Sequence, residues 1–225
     1  MNKDLEAFTG HMSWLFHPST ISDVTETDIK LSDKFTVTFP ILTALINQAR
    51  VLSIKIEQQP YYLFSWTNKD NQNFGWLNKI ENDISSPLPF IGEHRLLLEE
   101  IGGIQESFNQ PDPSFSNNQE FMFVSSECTT GINDWEDYYE ELCKEERKPQ
   151  IDYKDFISFV MEANGNSTVY DPKTKEVFLF AHDHACNNVD LLENQPEYTF
   201  YRFHNIISFG DYVEALALEW KNELI

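Results

Sequence analysis

Residues 164–188 read NGNSTVYDPKTKEVFLFAHDHACNN, and residues 207–220 read ISFGDYVEALALEW. Thr168 to Tyr170 is a short run rich in β-formers. Asp171-Pro172-Lys173-Thr174-Lys175 follows as a turn, because proline fixes φ and aspartate bonds the local backbone. Val177 to Ala181 is then five apolar residues in a row, the pattern of a strand buried on both faces. The two runs predict a β-hairpin with a longer loop, closed by His182-Asp183-His184. Beyond it, Ser208 is placed to N-cap a helix, with Asp211 three residues on in a capping-box position. Phe209, Tyr212, Val213, Leu216, Ala217 and Trp220 recur at helical spacing and give that helix one apolar face for the sheet.

This pattern of Asp171, Val177, His182-Asp183-His184, Ser208 and Phe209 resembles the SUKH superfamily. Upstream, Leu88-Pro89 and the segment EHRLLLEEIGGI, residues 93–104, are similar to the way that family opens. The resemblance spans roughly residues 88 to 220. Members of the superfamily include bacterial toxin-immunity proteins and relatives of a yeast cell-wall synthesis regulator. The resemblance implies an α+β fold, with a mainly antiparallel sheet flanked by helices. It also implies a cytosolic, non-enzymatic protein that neutralises a toxin by direct contact. The alternative is a regulatory scaffold of the cell-wall-regulator type.

Composition sets independent bounds. The 225 residues suit one domain, residues 1–225, with residues 1–85 as an N-terminal extension packed on the matched part. Aromatic residues make up 14% of the chain, 18 of them Phe, which argues for a packed core and against disorder. Lys and Arg number 16 against 37 Asp and Glu, for a net charge of −21. That balance argues against nucleic acid or an anionic membrane as partner and suits a basic protein, such as a nuclease-like toxin. It is equally what a merely well-solvated surface would carry. Cys128, Cys143 and Cys186 are widely spaced, with no CxxC, and suggest reduced thiols in a cytoplasmic protein. The first residues show no apolar core of a leader, and no stretch is long and apolar enough to span a membrane.

Along the chain, residues 4–16 predict a helix with Leu5, Phe8, Met12, Leu15 and Phe16 as its stripe. Phe35, Val37 and Phe39 alternate, which predicts a strand over 34–39. Pro40 suits the first turn of a helix running to about Ala49. Residues 51–56 and 61–66 predict strands, with a turn at 68–71. Residues 85–89 read as a linker. A helix over 93–101 should end at Gly102-Gly103, and residues 110–118 should be loop. A short strand is expected over 120–124. Two more helices are expected, one from an Asn133 cap to about Arg147 and one over 153–163.

Candidate site residues fall in two groups. His182, Asp183 and His184, with Cys186 nearby, form the sole His/Asp/Cys cluster. On a strand the two histidines would share a face, but a zinc site needs three or four ligands and no second cluster supplies them. The reading is therefore no metal, with Asp183 capping the turn, and no cofactor. No catalytic motif of the nucleophile-elbow or dinucleotide-binding kind is present either. The second group is the acidic helix, with Asp134, Glu136, Asp137, Glu140 and Glu141 beside Trp135, Tyr138 and Tyr139. Acids in the first turn suit the helix dipole. Like charges at i,i+4, such as Glu136 and Glu140, cost stability, while aromatics beside charge suit an interface. Both groups are expected to touch a protein partner.

Overall fold

The computed structural model describes residues 2–12, 17–81, 87–112, 119–184 and 188–224. Among these, twelve strands form one sheet in which every neighbouring pair is antiparallel. In chain order they are β1 (Ile21–Glu26), β2 (Arg50–Ile56), β3 (Gln59–Thr67), β4 (Asn73–Lys79), β5 (Gly103–Phe108) and β6 (Gln119–Met122). Then come β7 (Thr129–Thr130), β8 (Ile157–Glu162), β9 (Ser167–Tyr170), β10 (Val177–Phe180), β11 (Val189–Leu191) and β12 (Phe200–Phe203). The order across the sheet is β1-β2-β3-β4-β5-β6-β8-β9-β10-β12-β11, with β7 paired aside to β8. Six α-helices flank it: α1 (Lys3–His11), α2 (Asp33–Thr38), α3 (Pro40–Ile46), α4 (Gly92–Ile101), α5 (Glu136–Glu146) and α6 (Phe209–Asn222). The fold is α+β.

Alternation along the strands divides the helices between the two faces. Phe64, Trp66, Trp76, Val177 and Leu179 point into one large core with residues of α2, α3, α4 and α6. The residues between them point the other way. Leu52, Ile54, Leu63 and Leu77 meet Leu5 and Phe8 of α1, while Val169, Phe178, Phe180 and Phe200 meet Tyr139 and Cys143 of α5. The predicted hairpin is present, with Val177 opposite Tyr170 and Phe180 opposite Ser167. β12 pairs on the other side of β10, so β10 is an inner strand buried along its length.

The predicted cap of α6 is present in full. The Ser208 hydroxyl accepts the Asp211 N–H, and the Asp211 carboxylate accepts the Ser208 N–H. One further carboxylate joins two helices. Glu214 of α6 accepts the N–H groups of Ile41 at 2.8 Å and Leu42 at 3.0 Å. It satisfies the first turn of α3, where Pro40 stands at the start and Phe39 offers no side-chain cap. The helix over 92–101 ends at Gly102 as expected, and its backbone, φ +75° and ψ 175°, is a positive-φ conformation that favours glycine but is not the left-handed helical cap.

Several expectations are corrected. Residues 34–38 lie in helix α2, because Ser32 caps it by accepting the Phe35 N–H; Phe39 follows it with a non-helical backbone, and Val37 points to solvent at 81% exposure. Residues 157–162 are strand β8, not helix. Phe156 packs on one face of the sheet and Ile157 and Phe159 on the other, with a register shift between Ser158 and Val160. Asn133 does not cap α5. Its side chain accepts from Thr129 at 2.5 Å and reaches Ser158 at 3.3 Å, and a short 3-10 turn, Asn133–Trp135, precedes the helix. Helix α3 stops at Ile46, short of Ala49, and α1 stops at His11. The expected stripe residues Leu15 and Phe16, residues 85 and 86 of the expected linker and most of the 110–118 loop lie outside the described residues.

Of the N-terminal part, α1 lies over one face of the sheet with its apolar side, and α2 and α3 lie over the other. Residues 21–79 supply the sheet's first four strands, and β4 hydrogen-bonds to β5 from the other side of the expected linker. Asp4 fixes α1 in place. Its carboxylate accepts two hydrogen bonds from the Arg50 guanidinium, at 2.8 and 2.9 Å, and one from Asn73 at 3.0 Å. The hydrogen bond to Asp4 holds Arg50 above its ordinary pKa.

Candidate functional site

The two candidate groups meet in space. The Trp135 indole lies on the His182 imidazole, with centroids 3.7 Å apart and planes 16° from parallel. Gly165, at φ +92°, makes room for the stack, since a Cβ there would sit 3.2 Å from the indole nitrogen. The Tyr138 hydroxyl donates to the carbonyl of Tyr198 at 3.3 Å, and Tyr198 is 42% exposed. Trp135, Tyr138, His182 and Tyr198 thus form a partly exposed aromatic patch at one end of α5.

The β8–β9 turn braces the 182–184 segment. The side chain of Asn166 accepts the His182 N–H at 3.1 Å and donates to the His184 carbonyl at 3.3 Å and to Glu162 at 3.1 Å. Asn164 donates to both Asp183 oxygens, at 3.2 and 3.3 Å. Asp183 closes the turn by accepting the His184 N–H at 2.7 Å and meeting the His184 ring at 2.9 Å. Burial pushes the Asp183 carboxyl up, but hydrogen bonds from His184 outweigh it and hold the group below its usual range. Burial raises Glu162, against a lowering bond from Asn166.

The strand ends at Phe180, so His182 and His184 do not share a strand face. One stacks on Trp135 and the other turns to Asp183. Among the described residues, no group of three or more His, Cys, Asp or Glu is arranged to hold a metal ion. Cys186 lies outside them.

Helix α5 sorts its acids by direction. Tyr139 and Cys143 are buried, and Tyr139 donates to Gln195 at 2.6 Å while accepting the Ile151 N–H at 2.9 Å. Trp135, Tyr138 and Leu142 are only partly buried. Glu136 and Glu140 lie on the flank facing Tyr153. Glu140 accepts the Tyr153 hydroxyl at 3.0 Å and sits 3.7 Å from Lys154. Its charge is compensated, which weakens the i,i+4 repulsion expected from the sequence. Burial, followed by the bond to Glu140, raises the Tyr153 pKa. Asp137, Glu141 and Glu145, each a helical turn apart, point to solvent, and Asp134 is exposed just before them. They form a continuous acidic stripe bordered by Tyr138. Asp137 and Glu141 were legible from the sequence. Tyr198, Gly165 and the link between Trp135 and His182 were not.

This arrangement offers charge and aromatic area for recognition. His94, the other central histidine, is fully buried. It bonds the Phe123 carbonyl at 2.9 Å and the Tyr170 hydroxyl at 3.2 Å and stacks on Phe209. Among the described residues, no helix is long and apolar enough to cross a membrane. Comparison with family models, with curated proteins and with solved structures found no match.

Proposed function

We propose that this chain is a non-enzymatic, immunity-type binding protein that neutralises a basic toxin domain by covering it. The reading rests on one observation, the solvent-facing stripe of Asp134, Asp137, Glu141 and Glu145 beside the Trp135, Tyr138 and Tyr198 patch. Aromatic anchors next to a field of one sign suit a partner that is steered by charge and held by rings. The net charge of −21 extends the same field over the molecule. The resemblance to the SUKH superfamily suggests the class of partner, a toxin domain, and the acidic charge balance suggests that this domain is basic, as a nuclease would be. The braced segment of His182, Asp183 and His184 borders the same surface.

The test is expression of the protein encoded immediately upstream of this chain. The reading expects that protein to arrest growth alone and to be tolerated when both are made together. It also expects the two to copurify. A harmless upstream product, or protection without physical association, contradicts it.

A further inference from the structure

We infer that the free edge of β11 is a strand-addition site, which takes an extended basic segment of a protein partner. The hydrogen bonds from His204 N–H to the Asn188 carbonyl and from Leu192 N–H to the Phe200 carbonyl set the ladder between β11 and β12. By the two-residue repeat, Asn188, Asp190 and Leu192 turn their backbone groups toward β12. Val189 and Leu191 therefore turn theirs outward, and among the described residues nothing pairs with them. Leu191, 41% exposed, lies opposite Tyr201, whose hydroxyl accepts the Tyr198 N–H at 2.9 Å. Tyr198 thus joins this edge to the aromatic patch on α5. Exposed Asp190, Glu193 and Glu197 surround it, so an incoming strand is favoured when it is basic.

The opposite edge of the sheet is guarded. Its register breaks between Ser22 and Thr25, Asp23 has a φ of +53°, and the Asp23 carboxylate pairs with Lys55 at 2.8 Å. Two copies of a chain carrying −21 each repel, which disfavours pairing of β11 with its own kind. The sign of the partner's charge rests on the function proposed above, whereas the backbone geometry of β11 does not.

A short peptide of alternating lysine and valine is the probe, with two versions N-methylated at alternate residues in the two possible phases. The expected result is slowed hydrogen exchange at the Val189 and Leu191 amides when the peptide is added. One methylated phase should bind and the other should not, because only one set of peptide N–H groups faces the edge. Leu191→Pro should weaken binding at least about tenfold. It leaves the β11–β12 ladder intact, since the N–H it removes points outward. Equal binding of both phases, protection elsewhere on the sheet, or no binding at about 1 mM peptide overturns the proposal. So does protection of the same amides in the free chain that grows with its concentration. If Asp137→Asn with Glu141→Gln and Glu145→Gln abolishes binding while Leu191→Pro does not, the acidic face stands and the β11 site falls. The reverse pattern upholds β11 and removes the acidic face.

Discussion

Trp135 and His182 lie face to face, 3.7 Å between ring centroids, and this stack ties the start of α5 to the segment that follows β10. If the stack couples the two, a double-mutant cycle with Trp135→Ala and His182→Ala should return an interaction of about 0.5–1.5 kcal/mol by denaturant unfolding. Additive losses would mean that the rings are merely neighbours.

Leu179 of β10 is buried in the large core beneath α6. Leu179→Ala should cost about 2–5 kcal/mol of stability. A loss under about half a kcal/mol by chemical denaturation would place this strand at the surface.

Glu214 stands in for the missing cap of α3. Glu214→Ala leaves the Ile41 and Leu42 N–H groups without their acceptor and should cost about 0.5–2 kcal/mol. Hydrogen exchange should speed first at these two amides.

His94 makes stability depend on pH. Burial lowers its pKa from 6.5 to about 4 in the folded chain. The unfolded chain therefore binds a proton at higher pH than the folded chain does. Its contribution is full above 6.5 and is lost as pH falls from there toward 4, on the order of 3 kcal/mol. Unfolding free energies at pH 7 and pH 4 should differ less in His94→Gln than in the parent chain. Parallel pH profiles would rule out this role.

How far the fold could be read from sequence depended on how local its signals were. The β9–β10 hairpin and the capped α6 were legible, because the turn at Asp171-Pro172 and the pair Ser208 and Asp211 each act within a few residues. Residues 34–39 were misread because Phe35, Val37 and Phe39 alternate by chance, while the deciding contact is the Ser32 cap. β8 was misread because Phe156, Phe159 and Val160 mimic helical spacing when a register shift interrupts a strand buried on both sides. β4, with Gly75 and Asn78 among its aromatics, offered no clean period. The acidic helix and the 182–184 segment were each visible, but their meeting was not. It depends on Trp135 reaching a residue far along the chain, over a glycine whose role only the packing reveals.

The outer stripe of α5, Asp134, Asp137, Glu141 and Glu145, is the surface proposed to meet a basic partner. The deciding measurement is the association rate of this chain with the partner that copurifies in the coexpression test above, followed across ionic strength. Charge steering is screened over a Debye length of about 8 Å at physiological salt. The rate should fall steeply as salt rises, with dissociation changing little. The combined Asp137→Asn, Glu141→Gln and Glu145→Gln variant should associate more slowly and with a shallower salt dependence, while remaining folded. Equal rates and equal salt slopes for the two proteins would contradict the claim and leave the stripe a solvated surface.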